Sequence, residues 1–388
     1  MPVLNSIAAL SDEATAWRRD LHAHPELLYD LPRTSKTVAD MLTAFGCDEV
    51  VTGMGRTGVV GLIKGKGGAG TRMIGLRADM DALPIEEASG VEHTSTTPGI
   101  MHACGHDGHT AMLLAAAKYF CETRNFNGSV AVIFQPAEEG GAGAKAMIDD
   151  GLFERFAVDE VYGMHNQPGM DVGTFATRSG PLLAAADRLY ITLTGHGGHA
   201  AKPHQCIDTV LVGAHVVTAL QSIAARSVDP MESGVVSMCM FHAGNAGNVI
   251  PETAELTGTA RSLSPEVRDI LEERITTITN ATAQAFGATA DVRYVRDYPV
   301  TRNHEVQTTF AADVAAQISG EDKVDRQVSP VMGGEDFAFM LEHKPGAFIF
   351  TGNGDTARLH HPAYDFNDAA IPVGASYWAR LVETALPA

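Results

Sequence analysis

The chain of 388 residues is longer than a typical single domain, so two folding units with room for a sizeable core are expected. Hydrophobic residues make up 45% and charged residues 19%, which excludes a disordered chain, and no uninterrupted apolar run of about 18 residues is present to span a bilayer. A formal net charge of -19, with no local Lys/Arg stripe to offset it, would repel polyphosphate and argues against nucleic acid as a partner.

The opening run MPVLNSIAALSDEATAWRRD has no basic segment ahead of an apolar one and reads as an amphipathic helix. A secretory leader is therefore not expected, and the chain is placed in the cytoplasm. The cysteines, Cys47, Cys104, Cys121, Cys206 and Cys239, are odd in number and follow no framework spacing, as where thiols stay reduced. Thr34 and Ser35 can cap a helix whose apolar face is Val38, Met41, Leu42 and Phe45 and which ends at Gly46. The run GKGGAG resembles a phosphate loop only in glycine content, since it lacks the Gly-Lys-Ser/Thr ending, and it reads as a turn between strands.

Three further segments share one layout: RMIGLRADMDALP, SVAVIFQPAEEG and VDEVYGMHNQP are short apolar runs ending in ionisable residues. Each is expected to be a buried strand with chemistry just past its C-terminal end. Helical stretches such as HTAMLLAAAKYF and GAKAMIDDGLF alternate with them, which predicts an α/β domain around a mostly parallel sheet.

From about Asp187 the texture changes. RLYITLTG alternates with period two, and a helix follows with Ile207, Val210, Leu211, Ala214 and Val217 on one face. Then come the strands GVVSMCMF and AELTGTAR, a helix from Ser264 to about Phe286, and the alternating strand ATADVRYV. This βαββαβ order is that of a ferredoxin-like split unit. It predicts an inserted domain at 187–298 within an α/β domain at 1–186 and 299–388. After it the strand GAFIFTG leads into RLHHPAYDFN, and there is no low-complexity segment or short-period repeat.

The stretch HACGHDGH puts one thiol and three imidazoles into eight residues, 102 to 109. Cys104 and His106 can point at one metal centre; the structural alternative is a small buried thiol and a histidine that hydrogen-bonds at a helix start. Glu138-Glu139, His165, Asp79 and Asp81 all follow strands, so acidic and imidazole donors converge at one sheet edge. Adjacent carboxylates facing one cleft repel unless a cation or proton lies between them. The resolution is that one binds metal and its neighbour takes a proton from water. No Gly-x-Ser-x-Gly elbow supplies a serine nucleophile.

Nine ordered motifs, RRDLHAHPEL, RADMDALP, MHACGHDGHTAMLL, FQPAEEGGAGA, GMHN, GHGGHAAKPH, GNVIP, GGEDFA and LHHPAYDFN, carry a resemblance from about residue 15 onward. The chain resembles the hippurate hydrolase and indole-acetyl-amino-acid hydrolase branch of the aminoacylase/carboxypeptidase metallopeptidase family. The resemblance implies a two-metal catalytic domain with an inserted lid, usually a homodimer, or a tetramer, made through the lids. It carries the ligand roles to Cys104, His106, Glu139, His165 and His360, with Cys104 bridging two divalent ions as a thiolate. Local spacing leaves His361 open as the last ligand, and alignment on Pro362 favours His360. The ions are of the Zn, Mn, Co or Ni class.

The His-x-Asp ligand motif of di-zinc relatives is absent here, the equivalent stretch being Asp79-Met80-Asp81, so Asp81 is expected to orient a ligand rather than bind metal. Glu138 matches the general base, and His199 matches the lid histidine that stabilises the oxyanion, often in the partner subunit's site. Asn248 and Arg261 match positions that hold the substrate carboxylate. His102 and His109 are expected to support the ligands through hydrogen bonds, and His22 and His24 to be structural. Lid closure places hinges near 183–188 and 298–302. The implied reaction is hydrolysis of an N-acyl amino acid, hippurate-like or N-acetyl, by a soluble enzyme. The alternatives are a dipeptidase or carboxypeptidase on the same scaffold and, further off, a non-catalytic metal-dependent binding protein.

Overall fold

The computed structural model describes residues 4–67 and 72–388; the end of the GKGGAG run lies outside the described residues. The chain divides into two compact units, Met1–Gly180 with Arg302–Ser329 and Asp336–Ala388, and Pro181–Thr301 with Pro330–Glu335.

The first unit opens with α1 (Asn5–Ala8), α2 (Ser11–Ala23) and α3 (Pro32–Phe45). Thr34 and Ser35 do not cap α3 as expected; they are buried in its first turn. Pro32 opens the helix with φ already fixed, and the Glu26 carboxylate accepts the N–H groups of Arg33 at 3.1 Å and Thr34 at 2.8 Å. At the far end Gly46 takes φ +88°, which its missing Cβ allows, and Cys47 N–H closes the turn on Leu42 O.

Next come β1 (Glu49–Met54), β2 (Gly58–Lys64), β3 (Met73–Asp79), α4 (His106–Thr123), β4 (Ser129–Gln135), α5 (Gly143–Asp149), α6 (Leu152–Arg155), β5 (Glu160–Gln167) and β6 (Phe175–Ala176). After the second unit the chain returns with α10 (Glu305–Ser319), β15 (Val324–Asp325), α11 (Phe337–His343), β16 (Gly346–Gly352) and α12 (Ile371–Ala385). The eight-stranded sheet has the order β1-β2-β4-β3-β5-β16-β6-β15. Its centre, β4-β3-β5-β16, is parallel, while the β1–β2, β2–β4 and β16–β6 pairs are antiparallel.

Strands β3 and β4 are buried almost throughout, which is why they read as continuous apolar runs rather than alternating ones. The β3–β4 register brings Asp79 opposite Gln135, and the β5–β16 register brings Gln167 opposite Gly352. The polar residues after each strand therefore share one edge of the sheet, where ligands gather in parallel α/β folds. Helix α4 is buried from His106 through Ala117 and packs against α12, α2 and α3. Each fully buried Leu or Phe here, such as Leu113 or Phe120, contributes about 1.5–3 kcal/mol of transfer free energy. The helix that carries the metal-ligand motif is thus fixed by the core.

The second unit contains β7 (Gly180–Leu183), β8 (Ala185–Thr194), β9 (Gly198–His199), α7 (Thr209–Leu220), α8 (Ser222–Arg226), β10 (Gly234–Ala243), β11 (Val249–Ile250), β12 (Thr253–Ser262), α9 (Pro265–Ala285), β13 (Thr289–Tyr298) and β14 (Thr301–Asn303), the first and last at its junctions. The antiparallel sheet β10-β12-β8-β13 with α7 and α9 gives the βαββαβ order of a ferredoxin-like unit. This unit starts a few residues before 187 and also takes in 330–335, because Ala184 N–H donates to the carbonyls of Val331 and Gly333. Helix α9 buries Val267, Leu271, Ile275, Thr279 and Ala283 at four-residue spacing, and Ser264 caps it.

Helix α7 corrects the expected face. Val212, Gly213, Val216 and Leu220 pack inward, leaving Val210 and Leu211 43% and 49% exposed. The helix is apolar on both sides, so periodicity alone selects neither face. Among the described residues one helical run, Thr209–Arg226, is long and apolar enough by length and composition to cross a membrane, but its inner face packs in the core of this unit. Strand β10 is a sheet edge and exposes Met240 and Phe241.

Candidate metal centre

The centre is built where α4 begins. Gly105 takes φ +87° ahead of His106, and a Cβ there would collide with Asn166 and Tyr364. His106 Nδ1 lies 2.8 Å from Asp81 O; a carbonyl only accepts, so Nδ1 carries a proton and Nε2 is the nitrogen left for a ligand role. In the same way His165 Nδ1 donates to Asn166 O at 2.7 Å, and its Nε2 lies 3.4 Å from Cys104 Sγ. Both imidazoles present Nε2 to the same space.

The ligand atoms of Cys104, His106 and His165 lie within 4.8 Å of one another, and so do those of Cys104, Glu139 and His360. Cys104 belongs to both triads. A third group joins His106, Glu138 and Glu139. His360 Nε2 is 3.3 Å from Glu139 Oε1, its N–H donates to Ala103 O at 2.8 Å, and its φ is +63°, a sparsely populated conformation for a non-glycine residue. His361 is exposed, and its Nδ1 accepts the Ala363 N–H. Both histidines are exposed, and of the two it is His360 that stands with Cys104 and Glu139.

The charges in this space favour a cation. Burial would push His106 down, but Asp79, Asp81 and Glu139 outweigh it and raise the imidazole to about 10. Burial, with the charges of Glu139, Glu138 and Asp79, pushes the Cys104 thiol well above its usual value. Burial and the neighbouring His109 hold His165 well below its usual value, so that imidazole is neutral. Burial raises Glu139, but His360 and His106 outweigh it and keep the group ionised. Buried His106 Nε2 has no hydrogen-bond partner among the described residues. A buried imidazole nitrogen without a partner, a thiol short of a counter-charge and several carboxylates fit a divalent-ion pair of borderline softness, which would displace the His106 Nε2 proton.

Asp81 makes its contacts to the candidate ligands through two different groups. Its carbonyl orients His106, while its carboxylate accepts the N–H groups of Glu138 at 2.9 Å and Glu139 at 3.1 Å. The acidic turn that holds both glutamates is thus pinned from below.

His109 supports the centre, as expected. Its Nδ1 donates to Asp79 Oδ1 at 2.6 Å and its Nε2 accepts the Asn166 N–H at 2.9 Å, leaving neither nitrogen for metal. Asn166 in turn donates to Cys104 O and accepts from the Tyr364 hydroxyl, both at 2.7 Å. Arg77 closes the chain from beneath, donating to Asp79 at 2.7 Å, Asp336 at 3.0 Å and Gln135 at 2.8 Å. Asn166, Tyr364, Arg77 and Asp336 were not singled out from sequence. Each sits inside a quoted motif, and a polar residue within a buried run was the available signal.

His102 departs from its expected role. It is buried, neither ring nitrogen has a hydrogen-bond partner among the described residues, and burial lowers it to about 3. His22 packs beside it, with ring centroids 6.3 Å apart. His22 lies between Asp107 at 2.8 Å and Glu87 at 3.1 Å; burial lowers it, but these partners raise it to about 9. Fully buried Arg18 adds contacts to Asp107 at 3.5 Å, Asp365 at 2.5 Å and Asp368 at 3.2 Å. RRDLHAHPEL thus supplies two buried cations at the first turn of α4: Arg18 joins it to the segment following His360, and His22 joins it to Glu87. His24 bonds only its own helix, at Asp20 O.

The remaining predicted residues lie in the second unit. His199 is exposed opposite Val249, and its Nδ1 accepts the Ala201 N–H at 3.1 Å, so a neutral ring carries its proton on Nε2. Ala200 N–H donates to Asn248 O at 3.1 Å, which puts His199 and Asn248 at one corner. Arg261 donates to Ala260 O at 2.9 Å and to Thr259 near the other end of β12, about 25 Å along the strand from Thr253. His199 and Asn248 are brought together; Arg261 is not brought to them within this unit.

The sequence profile of peptidase family M20/M25/M40 matches residues 75–384. Hippurate hydrolase of Campylobacter jejuni is 42% identical over 98% of this chain and 98% of its own. Thermostable carboxypeptidase 2 of Saccharolobus solfataricus is 40% identical over 90% of this chain and 88% of its own. Among solved structures the YXEP protein of Bacillus subtilis, described as a dinuclear metal binding peptidase from the M20 family, superposes with TM-score 0.84 at 34% identity, covering 98% of this chain and 99% of that one.

Proposed function

The chain belongs to peptidase family M20/M25/M40 and is a metal-dependent amidohydrolase; from that premise we propose that it cleaves N-acyl amino acids of the hippurate or N-acetyl type to a carboxylic acid and a free amino acid. The observation that carries this reading is Cys104, shared between two ligand triads beside a pinned glutamate pair. Two divalent ions, of the Zn, Mn, Co or Ni class, would be held by Cys104, His106, Glu139, His165 and His360. When bound they supply Lewis acidity to the scissile carbonyl and acidify the attacking water.

The chain's own groups do the rest. Glu138, nearly buried and fixed at its backbone by Asp81, takes the proton from the attacking water and returns it to the leaving nitrogen. His199 donates from Nε2–H to the oxyanion, a role its tautomer supports. Asn248 and Arg261 hold the substrate carboxylate. The corner of His199 and Asn248 and the far end of β12 are too far apart for one lid to present all three to one small substrate. We therefore have a second copy of the lid complete the site, in a homodimer formed through edge strand β10 and the exposed face of α7, where Val210, Leu211, Met240 and Phe241 offer the apolar surface. Five free thiols fit a reducing compartment, and the cytoplasm is proposed.

The carboxypeptidase relative favours one second reading, in which the acyl group is itself an amino acid. The experiment is a panel of hippurate, N-acetyl amino acids and dipeptides, assayed for released amino acid with wild type and Glu138→Gln. Acyl amino acids turned over by wild type, and a loss of about 10²–10⁴-fold in kcat for Glu138→Gln with metal content kept, are expected. Turnover of dipeptides alone would replace the first reading with the second, and full activity of Glu138→Gln would remove it as the base.

A further inference from the structure

Two cysteines stand apart from the metal centre and from every motif above. Cys47 follows α3, where the Gly46 turn and its own N–H bond to Leu42 O hold its backbone. Cys121 lies near the end of α4, which packs against α3. The two Sγ atoms are 3.7 Å apart, in hydrogen-bond contact, although 74 positions separate the residues. Both are partly exposed, so a small reagent can reach them. Gly61 leaves room on the inner side, since a Cβ there would stand 3.4 Å from Cys47 Sγ. The other thiols are placed differently: Cys104 faces the ligand imidazoles, and Cys206 and Cys239 bond backbone carbonyls.

We propose that Cys47 and Cys121 form a reversible dithiol site for low-molecular-weight disulfides such as oxidised glutathione, closing an internal disulfide that ties the end of α3 to α4. Rigid elements on both sides hold the sulfurs together, so the second step of exchange is intramolecular and needs only a side-chain rotation. Cys121 attacks first. Its hydrogen bond with Cys47 and the nearby Arg124 hold its thiol below the usual value, whereas the same bond and burial push Cys47 up. Cys121 thiolate attacks one sulfur of the reagent, forming a mixed disulfide and expelling one reagent thiolate. Cys47 then loses its proton and attacks Cys121 Sγ, expelling the second thiolate. Two protein thiols are oxidised by two electrons, the reagent disulfide is reduced to two thiols, and the two protons released go to them.

The test uses the full-length metal-loaded protein, equilibrated in buffers of graded reduced-to-oxidised glutathione ratio, acid-trapped and peptide-mapped by mass spectrometry. A Cys47–Cys121 cross-link that grows with the oxidised fraction and reverses on reduction is expected in wild type and in Cys239→Ser. In Cys47→Ser the cross-link is replaced by a glutathione adduct on Cys121. Wild-type Cys121 carrying a stable adduct without a cross-link would overturn the proposal. So would recovery of both residues as free thiols in a mixture that oxidises an added dithiol peptide, and neither result depends on how the variants fold.

Discussion

Asp81 accepts the backbone N–H of Glu138 through its carboxylate at 2.9 Å, and its own carbonyl oxygen accepts the Nδ1 proton of His106 at 2.8 Å. One residue thus sets both the proposed base and a proposed ligand. Asp81→Ala removes the carboxylate and spares the carbonyl, so the Glu138–Glu139 turn loosens while His106 keeps its tautomer. Metal affinity is expected to fall about 10–100-fold, the usual cost of losing a group that orients a ligand, and kcat to fall with it. Metal titration alongside kinetics checks this; a variant equal to wild type in both would show that the turn holds itself.

The two adjacent histidines should separate cleanly. His360 faces Glu139 at 3.3 Å, whereas His361 spends Nδ1 on the Ala363 N–H in an exposed turn. His360→Ala is expected to lose metal affinity by more than about 100-fold and His361→Ala to stay within a few-fold of wild type, since only the former removes a proposed ligand. Metal content after dialysis measures both, and the reverse order would reassign the ligand.

His22 links stability to pH. Its folded value is raised to about 9 from 6.5 by Asp107 and Glu87 against the opposing effect of burial. The contribution is therefore complete below about pH 6.5, where His22 is protonated folded or unfolded, and it is lost as pH rises through 9. Compared with His22→Gln, wild type should lose up to about 3 kcal/mol of relative stability over that window. Denaturant unfolding of both proteins at pH 6, 7.5 and 9 reads this directly, and a constant difference would mean that His22 stays neutral.

The outer face of α7 is the main surface of the proposed dimer. Leu211→Asp places a charge on a residue 49% exposed in the single chain and buried in the proposed dimer. Sedimentation velocity is expected to show dimer for wild type and monomer for the variant, with activity falling because a second lid is missing. A variant that stays dimeric would move the interface elsewhere.

Much of the fold was legible because its signals are local. The apolar runs ending in Asp79, Gln135 and Gln167 are strands with their chemistry at the C-terminal edge, and the βαββαβ order follows from period-two strands around two helices. The proposed ligands Cys104, His106, Glu139, His165 and His360 could be singled out because each stands in a motif that the family resemblance matches. The face of α7 could not be read, since both sides of that helix are apolar and only the packing of Val212, Val216 and Leu220 decides it. The Arg18–His22 network was also hidden: its partners Glu87, Asp107 and Asp365 come from three distant segments, and burial, which sequence spacing does not report, gives the contacts their weight. The double use of Asp81 was invisible for a related reason, since half of it belongs to a backbone carbonyl.

Whether the Cys104 thiolate would serve both proposed ligand triads of a two-ion centre is tested most directly by refilling the metal-free protein with Co(II) under absorption spectroscopy. Wild type should bind two equivalents and develop a near-ultraviolet sulfur-to-cobalt charge-transfer band, which Cys104→Ser should lack while binding metal far more weakly. Two tightly bound equivalents with no such band in wild type, or an equally tight pair in Cys104→Ser, would contradict the account.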